Sequence, residues 1–139
     1  MTQIFGYLNK LNLADFSKPS VLWGIDGDWI VNYIPAGEMF FPTDHCGVLR
    51  SNNETTNTYY VSLIMDVIGN KHNFSRSYRA SIDRVRGLEI PYPPKKIQDK
   101  VAKECEPIET KYKSSRMTME EYREKIMHVL LMNKVIIEE

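Results

Sequence analysis

The clearest hydrophobic pattern in the chain runs from Tyr60 to Ile68. Tyr60, Leu63, Ile64, Val67 and Ile68 recur at helical spacing and predict one buried helical face. Asn57 or Thr58 supplies the cap, and Gly69-Asn70 reads as a C-terminal glycine stop. Upstream, Ile4, Leu8 and Leu11 place a short helix over 2–11, which the Ser17–Ser20 stretch breaks. Two β-rich runs, Val21–Ile25 and Trp29–Ile34, flank Asp26-Gly27-Asp28 and predict a hairpin. Pro35-Ala36-Gly37 is a second turn. Glu38–Phe41 and Gly47–Arg50 are further strand candidates, with the polar loop Pro42–Cys46 between them. Ser51–Asn57 is a polar connection.

Beyond Asn70 the pattern changes. Lys71–Ser77 has no apolar period and reads as a basic loop. Ser77 or Ser81 caps a short helix through Arg86, which Gly87 stops. Leu88–Ile90 is a strand that Pro91, Pro93 and Pro94 keep short. From Lys95 a helix begins in which Ile97, Val101, Cys105, Ile108 and Tyr112 form a narrow seam suited to another helix. Pro107 should kink or end it near Glu106. After a break at Ser114–Arg116, Thr118 and Glu121 form a capping box, with Met117 and Tyr122 placed as a hydrophobic staple. Tyr122, Ile126, Val129, Leu130 and Asn133 then line one side of a last helix. The expected class is α+β: a mixed small-sheet globule over 1–94, followed by a helical, coiled-coil-like tail over 95–139.

Composition narrows the class. A hydrophobic content of 42% and 139 residues support a real core and exclude a disordered chain. No apolar run approaches the roughly 20 residues of a membrane span. The start has no charged region followed by an apolar core, so it does not read as a secretory signal. Cys46 and Cys105, far apart, read as free thiols of a reducing cytoplasm.

Net charge is zero, but its distribution is uneven. Residues 1–70 carry 3 basic and 7 acidic side chains, 71–103 carry 9 and 3, and 104–139 carry 6 and 8, giving −4, +6 and −2. A basic middle third in an acidic chain fits a DNA-facing surface. It also fits a solvated helix face.

Catalytic chemistry is hard to place. A DNA methyltransferase needs a glycine-rich cofactor loop and an Asn/Asp-Pro-Pro-aromatic grip on a flipped base. Ile90-Pro91-Tyr92-Pro93-Pro94 has its ring and prolines in another order and lacks the amide or acid. His45 beside Cys46 has no second pair at zinc spacing, since His72, Cys105 and His128 are scattered. Glu109-Thr110-Lys111 with Asp44 is a weak metal-nuclease pattern. No serine has nucleophile-elbow glycines, and there is no P-loop. The expectation is a chain without catalytic residues, metal or cofactor.

The basic segment carries the remaining signal. Lys71, His72, Asn73, Ser75, Arg76, Ser77 and Arg79 mix arginine forks, which suit guanine edges and phosphates, with asparagine, which suits adenine, and serine, which suits phosphate. Arg84 and Arg86 are read as structural, pairing with Asp83, Glu89 or the tail. Thr43 and His45 in the polar loop form a second candidate DNA surface.

Phe74-Ser75-Arg76-Ser77, Ser81-Ile82-Asp83-Arg84-Val85-Arg86-Gly87-Leu88-Glu89-Ile90-Pro91-Tyr92-Pro93-Pro94 and Lys96-Ile97-Gln98-Asp99-Lys100-Val101 together resemble the DNA-specificity subunits of type I restriction–modification systems. In that family a target-recognition domain closes on an I-P-x-P-P strand, and a Q-x-x-(I/V) helix continues as a spacer arm. Ile90, Pro91, Pro93, Pro94, Gln98 and Val101 keep the pattern. The loop Phe41–Gly47 and the tail Ser115–Arg123 resemble a subgroup in which this domain ends a fused N6-adenine DNA methylase. The resemblance implies double-stranded DNA bound by the globule. It implies a methyltransferase subunit or domain, or a second specificity half as in a homodimer, bound through the tail. Ile97, Val101, Ile108, Tyr112, Tyr122, Ile126, Val129 and Leu130 are the candidate partner-binding residues. It implies nothing catalytic here. A full subunit of the family carries two recognition domains and two helices, and this chain shows one of each. The competing expectation is a protein–protein adaptor that acts through the tail, its basic patch neutralised by Glu104, Glu106 and Glu109.

Overall fold

The computed structural model describes residues 16–40, 45–52 and 54–136. The helix expected over 2–11 lies outside these residues, as do Phe41–Asp44. The sheet has three antiparallel strands, β1 (Ser20–Gly24), β2 (Val31–Ile34) and β3 (Cys46–Leu49), in the order β2-β1-β3. The expected hairpin forms β1 and β2, with Val21 opposite Tyr33 and Trp23 opposite Val31. β3 pairs along the other edge of β1, with Gly47 opposite Trp23. As the central strand, β1 buries Ser20, Val21 and Trp23. A Cβ on Gly47 would lie 2.2 Å from the Trp23 ring, so this glycine makes room for the indole. Glu38–Phe40 is not a strand. Among the described residues no strand pairs with it, and Met39 is exposed.

Helix α1 (Thr58–Lys71) is capped by the Asn57 side chain, which accepts from the Tyr60 N–H at 2.9 Å. Eleven of its fourteen residues are buried, more than the single face its periodicity predicts. The excess arises because β1 and β2 cover one side while two later helices cover another. The helix also runs past Gly69, which is not its stop. Gly69 lies under Trp29: a Cβ there would sit 2.3 Å from the indole. The Trp29 Nε1–H donates to the Asp66 carbonyl at 3.1 Å, which fixes the ring in place.

The short helix α2 (Ile82–Arg86) is capped by Ser81 and ended by Gly87, as expected. Leu88–Ile90 is not a strand. Among the described residues no strand pairs with it, and side chains hold the proline segment that follows. The Tyr60 hydroxyl donates to the Pro91 carbonyl at 2.7 Å. Gln98, with no exposed surface, donates to the Pro93 carbonyl at 2.8 Å and accepts from the Asn57 N–H at 2.9 Å.

Helix α3 (Lys95–Lys113) passes through Pro107 and neither ends nor breaks there. Pro107 is exposed, and so is Lys103, one turn earlier, whose carbonyl loses its amide partner. Water can satisfy that carbonyl, which lowers the cost of an internal proline. Ser115, at φ +62°, reverses the chain. Thr118 then caps α4 (Met119–Met132), accepting from the Glu121 N–H at 3.1 Å. α3 and α4 pack on each other and on α1. The Arg123 guanidinium on α4 meets both Asp66 carboxylate oxygens at 3.0 and 3.2 Å and donates to the Trp29 carbonyl at 3.2 Å. The class is α+β, a small sheet with helices, as expected. No described helix is long and apolar enough to cross a membrane.

Two substitutions test this packing. Gly69→Ala should destabilise the chain by about 1–2 kcal/mol net, because overpacking against a fixed indole outweighs the helix-propensity gain of about 1 kcal/mol. Urea unfolding that shows the variant to be more stable would refute the close contact. Gln98→Leu keeps volume but strips partners from an amide and a carbonyl, and should cost about 2 kcal/mol. A midpoint shift indistinguishable from zero would mean that the side-chain amide does not join the proline segment to α1.

Candidate nucleic-acid interface

The basic loop begins where α1 ends. Lys71 is its last residue and His72 its C-cap, and Asn73 adopts a left-handed conformation at φ +60°. Ser75 and Tyr78 exchange backbone hydrogen bonds at 3.0 and 3.2 Å, which leaves Arg76 and Ser77 at the tip of a tight turn. Phe74 anchors the turn. It is 6% exposed and its ring packs against Trp29 at 5.1 Å. The His72 and Tyr78 rings stack nearly parallel to Phe74, at 5.9 and 5.5 Å. The Arg84 guanidinium lies 4.2 Å over the Tyr78 ring and donates to the Arg79 carbonyl at 2.9 Å. Arg84 thus braces the loop from behind.

This arrangement leaves Lys71, His72, Asn73, Arg76, Ser77 and Arg79 exposed, with Ser75 partly covered. The Ser75 and Ser77 hydroxyls lie 3.2 Å apart. Arg79 Nε pairs with Asp26 at 3.0 Å and Arg76 Nε with Asp28 at 3.6 Å. The other Asp26 oxygen meets His45 Nδ1. Two surfaces separated by some thirty residues are therefore brought together through one carboxylate. Thr43 lies outside the described residues.

Asp26 and Asp28 are the site residues that pattern reading missed. An Asp-Gly-Asp turn is well explained by local hairpin chemistry, so its carboxylates give no sign of a distant partner. They change the electrostatics. The +6 middle third holds two arginines whose charge is offset at once by neighbours. Such exposed pairs add only about 0–1 kcal/mol each to stability. Lys71 makes no ion pair among the described residues. Glu104 pairs with Lys100 and Glu109 with Lys113, so neither neutralises the basic loop.

The candidate partner seam faces inward. Val101 and Leu130 have no exposed surface, Ile126 is 1% exposed, and Tyr122 and Val129 are buried. Ile97, Ile108 and Tyr112 are partly buried against the same core. The Tyr112 and Tyr122 rings meet at 4.6 Å, tilted by 30°, across the α3–α4 pair, and the Tyr122 hydroxyl donates to Glu109 at 3.1 Å. Burial, with Glu109 second, holds the Tyr122 phenol well above its ordinary range. Cys46 and Cys105 are free thiols, and burial pushes Cys105 up to about 12. Among the described residues no three His, Cys, Asp or Glu side chains converge as a metal site would require.

The family model for the type I restriction modification DNA specificity domain matches residues 2–116. Among curated proteins the chain is similar to "Putative type I specificity subunit S.MpnORF201P" of Mycoplasma pneumoniae, 28% identical over 99 residues, which cover 70% of this chain and 41% of the relative. It is also similar to the type I restriction enzyme MpnII specificity subunit of that organism, 27% identical over 99 residues, covering 70% of this chain and 30% of the relative. The chain thus spans about two fifths or less of the length of these relatives. No solved structure matches it. With a family match across most of its length, the chain belongs to the type I restriction modification DNA specificity domain family.

Proposed function

We propose that this chain recognises a sequence in double-stranded DNA as a specificity module of a restriction–modification methyltransferase complex, and that it performs no chemistry itself. The observation that carries this reading is the turn at Arg76-Ser77. It projects exposed donors beside His45 while its base is clamped by Phe74, Tyr78 and Arg84. A clamped base with exposed polar tips suits insertion into a groove, where phosphate contacts set the register and side chains read base edges. Lys71, His72, Asn73, Ser75, Arg76, Ser77 and Arg79, with His45 and Thr43, form the proposed DNA surface.

The α3–α4 pair is the proposed docking element for a methyltransferase subunit or a second specificity half. Val101, Tyr122, Ile126, Val129 and Leu130 give it a stiff core, and Ile97, Ile108 and Tyr112 lie where that core nears the surface. The functional boundary is proposed at Pro94, between the DNA-reading residues 1–94 and the docking residues 95–139.

Duplex binding by this chain, with its methyltransferase subunit present, should weaken steeply from low to physiological salt as phosphate counterions are released. The double variant Arg76→Ala/Arg79→Ala should lose roughly ten- to a hundredfold in affinity for the preferred duplex, in line with the loss of base contacts. Fluorescence anisotropy across a salt series measures both. Unchanged affinity in the double variant would move the interface elsewhere, and partner binding that proceeds with no duplex affinity would favour an adaptor.

A further inference from the structure

We propose that Arg79 and Arg76 read guanine edges rather than neutralise phosphates, and that Asp26 is the positioning residue that aims Arg79. This deepens the DNA-reading role proposed above and rests on it. Both arginines reach the surface with their charge already offset, Arg79 by Asp26 at 3.0 Å and Arg76 by Asp28 at 3.6 Å. In both, the carboxylate approaches Nε as an ion pair, and Asp26 Oδ1 accepts no hydrogen bond. The terminal nitrogens Nη1 and Nη2 have no partner among the described residues, and the side chains are 68% and 80% exposed.

A free cation gains from a phosphate because it replaces condensed counterions. A guanidinium backed by a carboxylate gains less, since the carboxylate repels the same phosphate. Guanine presents two neutral acceptors, O6 and N7, and is met by a guanidinium fork whose rear is occupied. The charge at the rear also biases where the fork points.

Arg79 is held at both ends. Its carbonyl accepts from Arg84 Nη1 at 2.9 Å, and Arg84 is itself seated over Tyr78. At the other end, Asp26 is held by His45 Nδ1, and the Ile25 N–H donates to the His45 carbonyl at 2.9 Å. The order of contacts is His45 to Asp26 to Arg79. Phosphate neutralisation then falls to cations without a carboxylate neighbour, of which Lys71 is the nearest in sequence to the turn.

The test uses the whole chain with its methyltransferase subunit. Selection from a random duplex library defines the preferred site. Each guanine of that site is then replaced singly by 7-deazaguanine, which lacks the N7 acceptor, and affinities are measured for wild type, Arg79→Lys, Arg79→Ala, Asp26→Asn and Lys71→Ala. Wild type should lose roughly tenfold at one particular guanine, as for a charge-assisted hydrogen bond. Arg79→Lys, which keeps the charge but not the fork, should weaken binding to the natural site and become insensitive to 7-deazaguanine there, with its salt slope unchanged. Asp26→Asn should lose discrimination at that same guanine while its thermal midpoint holds. Lys71→Ala should weaken all duplexes evenly and lower the salt slope by about one. If Arg79→Lys and Asp26→Asn leave the preference at every guanine intact, the inference is wrong. It is equally wrong if Arg79→Ala weakens every duplex evenly with a reduced slope. A wild-type chain that selects no site defeats the DNA-reading role itself, which is a separate result.

Discussion

The contact on which the rest of this structure depends is the indole of Trp29 lying on Gly69. The ring can approach the helix backbone only because position 69 has no side chain. Once seated, it serves four elements. Its Nε1–H holds the Asp66 carbonyl on α1, its own carbonyl accepts from Arg123 on α4, and its ring carries Phe74, the anchor of the basic loop. Trp29 itself lies in the connection between β1 and β2, next to Asp28. The sheet turn, the central helix, the last helix and the candidate DNA loop therefore share one buried residue. The Asp26–Asp28 turn can meet Arg76 and Arg79 only because the same indole fixes the strand connection and the loop together.

The proline segment solves a second problem, that of carrying the chain from the globule into α3 without a sheet to hold it. Prolines fix the backbone direction but remove amide donors. The remaining carbonyls need partners, and Tyr60 and Gln98 supply them at Pro91 and Pro93. Gln98 closes the arrangement by accepting from the Asn57 N–H, one of the first amides of α1. Asn57 is also the α1 cap and donates its side-chain amide to Asp99 at 2.9 Å. The start of α1 is thus tied to the first turns of α3, which has no side-chain cap of its own. This gives the pairing of prolines with a following glutamine a physical reason: an amide that both donates and accepts, buried where one carbonyl and one N–H need partners.

Much of this fold was legible in local pattern. The β1–β2 hairpin, α1 with its Asn57 cap, α2 between Ser81 and Gly87, and the Thr118 cap of α4 all follow from neighbours within a few residues. What failed shows where local reading ends. Gly69 looked like a stop because a glycine after an apolar run usually is one, and only a tryptophan forty residues earlier makes it a packing position. Pro107 looked like a break because its cost depends on whether the freed carbonyl faces water, which the chain's own spacing does not reveal. Leu88–Ile90 looked like a strand because β-propensity says nothing about whether a partner edge exists. The seam from Ile97 to Tyr112 was recognised as a helix-facing stripe, and the structure supplies the facing helices from within the chain.

The candidate site divides along the same line. The basic residues of the loop could be seen as a group, because charge density is a local property. Their state could not, because it is set by Asp26 and Asp28, far away along the chain. A count of +6 treats every arginine as free. In the folded chain two of those arginines already have carboxylates at their backs, and a third, Arg84, lies over Tyr78. The attraction this surface exerts on a polyanion is therefore smaller than the count suggests, while the directionality of its arginines is greater. Pairing exchanges long-range affinity for aim, and aim is what a surface needs if it is to tell one base sequence from another.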